Sequence, residues 1–267
     1  MDWGGLKSAL KKSALMKSTP FQSPPSIDHL FGWKEYHCVN GDDRRSVLEM
    51  AQNETLEIAW YGQSMFTVSG DGVTVVIDPV PPEVGYRYDP VGADVILITH
   101  PHFDHSYTDG VAGSPRVFDT SGTFEFDGLE ITGFESFHDS RKGKERGPVV
   151  IYKWQQAGLK LAHFGDLGDQ PAADVMENLG GLDVAMIPTG GVFTIDGEGA
   201  ARLVSDLAPA VMIPMHYLTP DLTIGLQSLD EFTLRFKGTV REMGDRPLAI
   251  SRGSLPSQTE AWVLPYK

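Results

Sequence analysis

"VILITHPHFDHSYTDG", residues 95–110, decides the reading of this chain. Three histidines and an aspartate fall within six positions, His100 to His105, directly after a run of aliphatic and β-branched residues. A continuous apolar run of this kind reads as a strand covered on both faces. Ionisable side chains are costly to bury without partners, so their density at the end of a buried strand needs a cause. Imidazole nitrogen and carboxylate oxygen are the usual non-sulfur ligands for zinc. Side chains alternate with period two in an extended segment, so His100 and His102 point the same way and can share one ion. Asp104 and His105 come next, where the chain must turn. Consecutive residues diverge there, which lets these two serve a second ion. The competing reading, a polar surface loop, fits a lone histidine better than this cluster.

The same residue types recur at the ends of other strand-like segments. His138 follows "ITGFESF", Asp166 follows "LKLAHFG", and His216 follows "AVMIPM". In open sheets containing parallel strands, sites gather beyond the carboxyl ends of the strands. Five histidines and two aspartates result, enough for two zinc ions with an open position for water.

The totals bound the rest. A chain of 267 residues makes one large domain or two small ones. With 41% apolar and 22% charged residues it has an ordinary soluble composition. A formal net charge of −14 argues against gripping a nucleic acid backbone, which calls for a basic face. The single cysteine, Cys38, rules out an intrachain disulfide. No apolar run approaches the roughly 18 residues of a membrane span. No uninterrupted apolar segment of a secretory signal is present either, so a cytoplasmic location is expected.

Residues 1–54 differ in texture from the remainder of the chain. "WGGLKSALKKSALMK" reads as a short helix with Trp3, Leu6 and Leu10 on one side and Lys7 and Lys11 nearby. A basic amphipathic helix can touch a membrane surface. The preferred reading is an arm packed on its own domain or on a second subunit, which is compatible with a homo-oligomer. "STPFQSPPS" reads as extended linker. From residue 55 onward, strands are predicted at "TLEIAWYG", "SMFTVSG", "VTVVIDP", "ADVILITH", "RVFDT", "TFEFDG", "LEITGF", "VVIYKW", "LKLAHFGD", "DVAMIPTGG" and "AVMIPMHY". Helices are predicted at "PAADVMENLG" and at "GEGAARLVSDLAP", where Ala200, Leu203, Val204 and Leu207 share a face. Ser228 with Glu231 makes a capping-box pattern before Leu229, Phe232 and Phe236. The pattern predicts sheets covered by helices, an α/β arrangement.

"THPHFDH" with His138, Asp166 and His216 resembles the metallo-β-lactamase superfamily, and the likeness spans residues 55–267. "EIAWYGQSMFTV", "VIDP", "FHDSRKGKERGPVVIY", "HFGDLGD", "IPTGGVFTID" and "VMIPMHY" look most similar to zinc-dependent hydrolases near the ascorbate-6-phosphate lactonases. The resemblance implies a four-layer αβ/βα sandwich with two mixed sheets and metals at one edge between them. It implies that His100, His102 and His138 hold one ion, that Asp104, His105 and His216 hold the other, and that Asp166 bridges them. Asp78, in "VIDP", matches an aspartate that stands behind the ligands. Relatives often carry Gly-His where this chain has Gly62-Gln63, and glutamine does not titrate as histidine does.

The chemistry implied is hydrolysis of a small molecule, a lactone, ester, amide or phosphodiester. Two Zn²⁺ ions lower the pKa of a shared water toward neutrality and make hydroxide available. Mn²⁺ or Fe²⁺ suits the same nitrogen and oxygen ligands. Asp104 and Asp166 are the candidate catalytic carboxylates, Asp104 as a candidate orienter of the hydroxide.

Rival readings are an RNA-processing nuclease, a di-iron redox protein, and a metal-binding sensor or scaffold without activity. The acidic chain and the short stretch between His138 and Asp166 argue against the nuclease. Di-iron relatives tend to replace a motif histidine with glutamate, and here His102 and His105 are both present.

The loop "HDSRKGKERGP" carries Arg141, Lys142, Lys144 and Arg146 directly after His138. Arg146, with Arg141 behind it, is the candidate for holding an anionic substrate group, because a guanidinium fork bonds a carboxylate or phosphate twice. Against that stands a solvated loop balanced by Asp139 and Glu145. His163, inside a strand, reads as a core histidine or one that supports a ligand. His29 and His37 read as surface residues, Cys38 as an inert thiol, and Gly190 and Gly191 as a turn.

Overall fold

The computed structural model describes residues 55–244 and 247–266. The arm expected over residues 1–54 lies outside them, with its helix, its linker, His29, His37 and Cys38.

Strand β2 (Phe66–Gly70) pairs antiparallel with both β1 (Leu56–Trp60) and β3 (Val73–Ile77). β4 (Val91–Gly92), β5 (Val95–Leu97), β6 (Val111–Ala112) and β7 (Arg116–Phe118) come next. β8 (Gly122–Phe126), β9 (Leu129–Phe137), β10 (Pro148–Gln156) and β11 (Leu159–His163) make an antiparallel meander. Helix α1 (Ala173–Asn178) leads to β12 (Val184–Pro188), and α2 (Gly197–Leu207) leads to β13 (Val211–Met215). A single helical turn, α3 (Asp230–Thr233), precedes β14 (Thr239–Glu242), β15 (Leu248–Ile250) and β16 (Glu260–Val263).

The first sheet has six strands in the order β15-β1-β2-β3-β5-β7, and the second has eight in the order β14-β16-β13-β12-β11-β10-β9-β8. Both are mixed: β3, β5 and β7 run parallel in the first, and β11, β12, β13, β16 and β14 run parallel in the second.

Alternation divides each strand between two layers. Val75 and Ile77 enter a core shared by the two sheets, while Val76 enters a second core on the outer side of the first sheet. Val150, Tyr152 and Trp154 face the shared core, while Val149 and Ile151 face the helices. This double coverage is why these strands read as unbroken apolar runs. On the helix side, α2 buries Ala200, Leu203, Val204 and Leu207, the predicted stripe. Asp196 Oδ1 caps that helix by accepting from the Gly199 N–H at 2.8 Å. The outer side of the first sheet is covered by Val80, Val84, Tyr86, Leu222 and Leu226. The architecture is the expected layered α/β sandwich. Each fully buried aliphatic side chain contributes about 1.5–3 kcal/mol. Burying an ion costs several kcal/mol, so cores of this extent can offset a charged site.

One local expectation fails. The capping box of Ser228 and Glu231 does not form: Leu229, in helical backbone, precedes α3 without a side-chain cap, and Ser228 Oγ donates to Asp230 Oδ2 at 3.3 Å. The aspartate two residues on captures the hydroxyl, and the helix stops after one turn. No described helix is long and apolar enough to cross a membrane.

Candidate metal centre

Strand direction assembles the site. β2 is antiparallel to both β1 and β3, so the β1–β2 turn lies at the same edge as the carboxyl ends of β3 and β5. In the second sheet β9 and β11 are both antiparallel to β10, so they share a direction with β12 and β13. Asp78 follows β3, His100 to His105 follow β5, His138 follows β9, Asp166 follows β11 and His216 follows β13. The sheets are tied together at this edge. Val150 N–H donates to the Thr99 carbonyl at 2.8 Å, and the Tyr152 hydroxyl lies 3.2 Å from the Ile98 carbonyl.

The expected ligand residues meet there. His100, His102 and His138 offer atoms that all lie within 4.8 Å of one another, and Asp104, His105 and His216 do the same. Asp166 Oδ2 stands among four imidazoles, 3.1 Å from His216 Nε2, 3.2 Å from His105 Nε2, 3.4 Å from His138 Nε2 and 3.9 Å from His100 Nε2. All these residues are buried except His102, which is half-buried with its ring against those of His100 and His138.

Asp78 sets the orientation of two rings. It accepts from His105 Nδ1 at 3.0 Å, from the Thr99 N–H at 2.8 Å and from Thr99 Oγ1 at 2.7 Å. The Thr99 hydroxyl has given its proton to Asp78, so it can only accept from His100 Nδ1, 3.1 Å away. Both rings therefore carry Nδ1–H and turn Nε2 into the site, the arrangement by which an outer carboxylate fixes a ligand's tautomer. Asp78 at φ 45, His216 at φ 51 and Gln63 at φ 50 all sit in left-handed backbone. Such strained residues cluster at functional sites. Gly190 passes so close to His216 that a Cβ there would meet its carbonyl oxygen at 2.0 Å, so the glycine turn after β12 is a close approach to the site.

Protonation suits metal binding, which needs deprotonated ligands. Burial pushes the His100 imidazole far below its ordinary value, with His105 adding to the effect. Burial also lowers His138, against the pull of Asp166. For Asp166, burial is outweighed by His105 and His216, which hold the carboxyl well below the carboxylate range. For Asp104, burial is outweighed by its contact with His105, and the net shift is downward. His105 is the exception: burial opposes a proton, but Asp166, Asp78 and Asp104 together raise it well above the ordinary value. His100 Nε2 and His105 Nε2 are buried without a hydrogen bond among the described residues. Inward lone pairs, ionised carboxylates and unpartnered ring nitrogens fit a metal ion.

The loop after His138 is wound around Asp139, whose carboxylate accepts from the N–H groups of Arg141, Gly143, Glu145 and Arg146 at 2.8, 3.1, 2.9 and 2.8 Å. Arg141 pairs with Glu145 at 2.7 Å in an exposed salt bridge. The Arg146 guanidinium instead lies 4.5 Å from the ring centre of Phe193, and no carboxylate pairs with it among the described residues. Phe103, between His102 and Asp104, is 65% exposed, and Val192 and Leu218 are 59% and 45% exposed.

His163 is buried and its ring nitrogens bond to main-chain groups, not to the candidate ligands. Its Nδ1 accepts from the Gly165 N–H at 3.1 Å, so Nε2 carries the proton and donates to the Ser64 carbonyl at 2.9 Å. Sequence reasoning does not single out Thr99 or Ser64. Both sit next to a glycine turn or a candidate ligand histidine, which is the only sequence signal they offer.

A family model described as "Beta-lactamase superfamily domain" matches residues 57–216. A metal-dependent hydrolase of Nitratidesulfovibrio vulgaris is 32% identical over 212 residues, covering 67% of this chain and 85% of the relative. A metal-dependent hydrolase of Thermoplasma volcanium is 29% identical over 216 residues, covering 71% of this chain and 93% of the relative. Among solved structures, a protein of the metallo-beta-lactamase superfamily from Thermotoga maritima, described as a "putative zn-dependent hydrolase", matches with a TM-score of 0.66 and 30% identity, covering 79% of this chain and 100% of that one.

Proposed function

The chain belongs to the beta-lactamase superfamily and is a metal-dependent hydrolase; from that premise we propose that it uses two metal ions, zinc by preference, to cleave a small-molecule lactone, ester, amide or phosphodiester. The observation that carries this reading is the position of Asp166 Oδ2, within 3.9 Å of four imidazole Nε2 atoms drawn from three loops.

In this reading His100, His102 and His138 would hold one ion, Asp104, His105 and His216 would hold the other, and Asp166 would be shared between the two sets. When bound, the ions would supply a water of near-neutral pKa and draw charge from the scissile group. The remaining work falls to the chain's own side chains. Asp78 and Thr99 keep His105 and His100 in the Nδ1–H tautomer. Asp104 and Asp166 stay ionised and can orient or receive a proton. Arg146, braced on Phe193 and without a paired carboxylate among the described residues, is our candidate for holding an anionic group of the substrate, with Arg141 less available because Glu145 pairs with it.

The apolar side chains of Phe103, Val192 and Leu218, in or beside the site's loops, favour a small organic substrate over RNA, as does a net charge of −14. We read residues 55–267 as the hydrolase domain, acting in the cytoplasm, and residues 1–54 as an extension.

The test is a panel of lactones, esters, amides, phosphodiesters and RNA, assayed with chelator-treated protein reloaded with defined Zn²⁺ or Mn²⁺. Metal-dependent turnover of small molecules is expected. Turnover of RNA alone would overturn the substrate assignment.

A further inference from the structure

The turn between β1 and β2 supplies none of the expected ligands, yet both ligand carboxylates lean on it. Gln63 Nε2 donates to Asp104 Oδ2 at 3.2 Å, and Ser64 Oγ lies 3.4 Å from Asp166 Oδ1, a long contact. The backbone of the turn is held by its own bonds. The Gln63 carbonyl accepts from Trp60 Nε1 at 3.0 Å and from the His216 N–H at 3.0 Å, and the Ser64 carbonyl accepts from His163 Nε2 at 2.9 Å.

The Gln63 side chain has a different position from its backbone. An ionised carboxylate only accepts, so the amide must turn its NH₂ toward Asp104. Oε1 then faces away, and it is buried with no donor among the described residues. Gln63 is fully buried and sits at φ 50. An unpaired buried amide oxygen and a left-handed backbone are two separate costs at one residue. The left-handed backbone belongs to the turn, but the orphaned oxygen does not: the turn's bonds at Gln63 and Ser64 end on main-chain carbonyls that any side chain at position 63 would leave in place.

We propose that Gln63 is a positioning residue of the metal centre: its amide fixes Asp104, while the adjacent Ser64 steadies Asp166, so that one turn of the first sheet aims both carboxylates. This rests on the two-metal reading. A glutamine suits the task because its N–H donors persist across the whole pH range and it offers no lone-pair nitrogen to compete for the ion.

The experiment uses the full chain as wild type, Gln63→Met, Gln63→His and Ser64→Ala. Zn²⁺ affinity and stoichiometry are read by competition with a chromophoric chelator. The ligand-field spectrum is read after Co²⁺ loading, and thermal unfolding is followed on chelator-treated protein. Gln63→Met, close in size but without a donor, should weaken one of the two ions by roughly tenfold to a hundredfold and leave the other within a few-fold. It should alter the Co²⁺ spectrum and keep the metal-free melting temperature. Gln63→His retains an N–H donor and should recover most of the loss. Ser64→Ala should cost less, as its contact is longer.

Unchanged affinities and spectrum in Gln63→Met, with two ions in the wild type, overturn the proposal alone. Equal losses in Gln63→Met and Gln63→His, or loss of both ions with a lowered metal-free melting temperature, overturn it in favour of a packing role. A wild type that takes up fewer than two ions overturns this proposal together with the two-metal reading.

Discussion

The carboxylate of Asp78 accepts a hydrogen bond from Nδ1 of His105 at 3.0 Å, and through Thr99 it also governs His100. Two rings in different positions of one loop thus depend on a residue that touches neither inward-facing nitrogen. Asp78→Asn keeps the shape and tolerates the left-handed backbone at φ 45. It places an amide NH₂ where acceptors are needed by Thr99 and His105. Outer-shell changes of this kind typically cost about 10–100-fold in metal affinity. Chelator competition should show a loss in that range; unaltered affinity would mean that the rings are held by packing alone.

Asp166→Ala should abolish hydrolysis while the fold survives. The carboxylate is the hub of the four imidazoles, but the surrounding cores do not depend on it. Circular dichroism should match wild type, and metal uptake should fall. A variant that turns over a validated substrate at the wild-type rate contradicts the bridging role.

Arg146→Ala should separate anionic from neutral substrates. A charge-assisted hydrogen bond contributes about 1.5–3 kcal/mol, so kcat/KM for an anionic ester should fall roughly tenfold to a hundredfold. A matched neutral ester should lose much less. Arg141→Ala should have the smaller effect of the two, since Glu145 already pairs with Arg141. Equal losses on both esters would mean that Arg146 shapes the loop through Phe193 and does not read charge.

His163 should make the metal-free protein acid-sensitive. Burial lowers its folded pKa below the ordinary value of 6.5. The unfolded chain therefore binds a proton that the folded chain does not. The stability is present above about 6.5 and is lost as pH falls below it, toward the folded value. Gln at this position can donate to Ser64 and accept from Gly165 without titrating. Urea midpoints of chelator-treated protein should fall less in His163→Gln than in wild type between about pH 7.5 and about pH 5. Parallel slopes would contradict a neutral buried His163.

The residues that gather at the site are legible in the sequence because most of them come after strands covered on both faces; His138 follows β9, where Glu130 and Glu135 are exposed. "ADVILITH" is so apolar that the histidines after it demand a cause, and His138, Asp166 and His216 repeat the pattern. Strand direction then brings those ends to one edge, as expected of sites beyond the carboxyl ends of parallel strands. The supporting network is not legible. Thr99 and Ser64 are ordinary residues in the sequence, and their roles come from hydrogen bonds across 21 and 102 positions. Gln63 stands out only as a substitution, and its partner Asp104 is 41 positions away. The Ser228 capping box fails for the same reason in miniature, because Asp230 competes for the hydroxyl that the pattern assigns to the backbone.

The central claim is a pair of metal ions held by His100, His102, Asp104, His105, His138, Asp166 and His216. Elemental analysis of protein purified without chelator, followed by Zn²⁺ titration to saturation, tests it most directly. The account predicts saturation at two ions per chain, falling in Asp166→Ala. Saturation at one ion, or no uptake restored by Zn²⁺ or Mn²⁺, would contradict it.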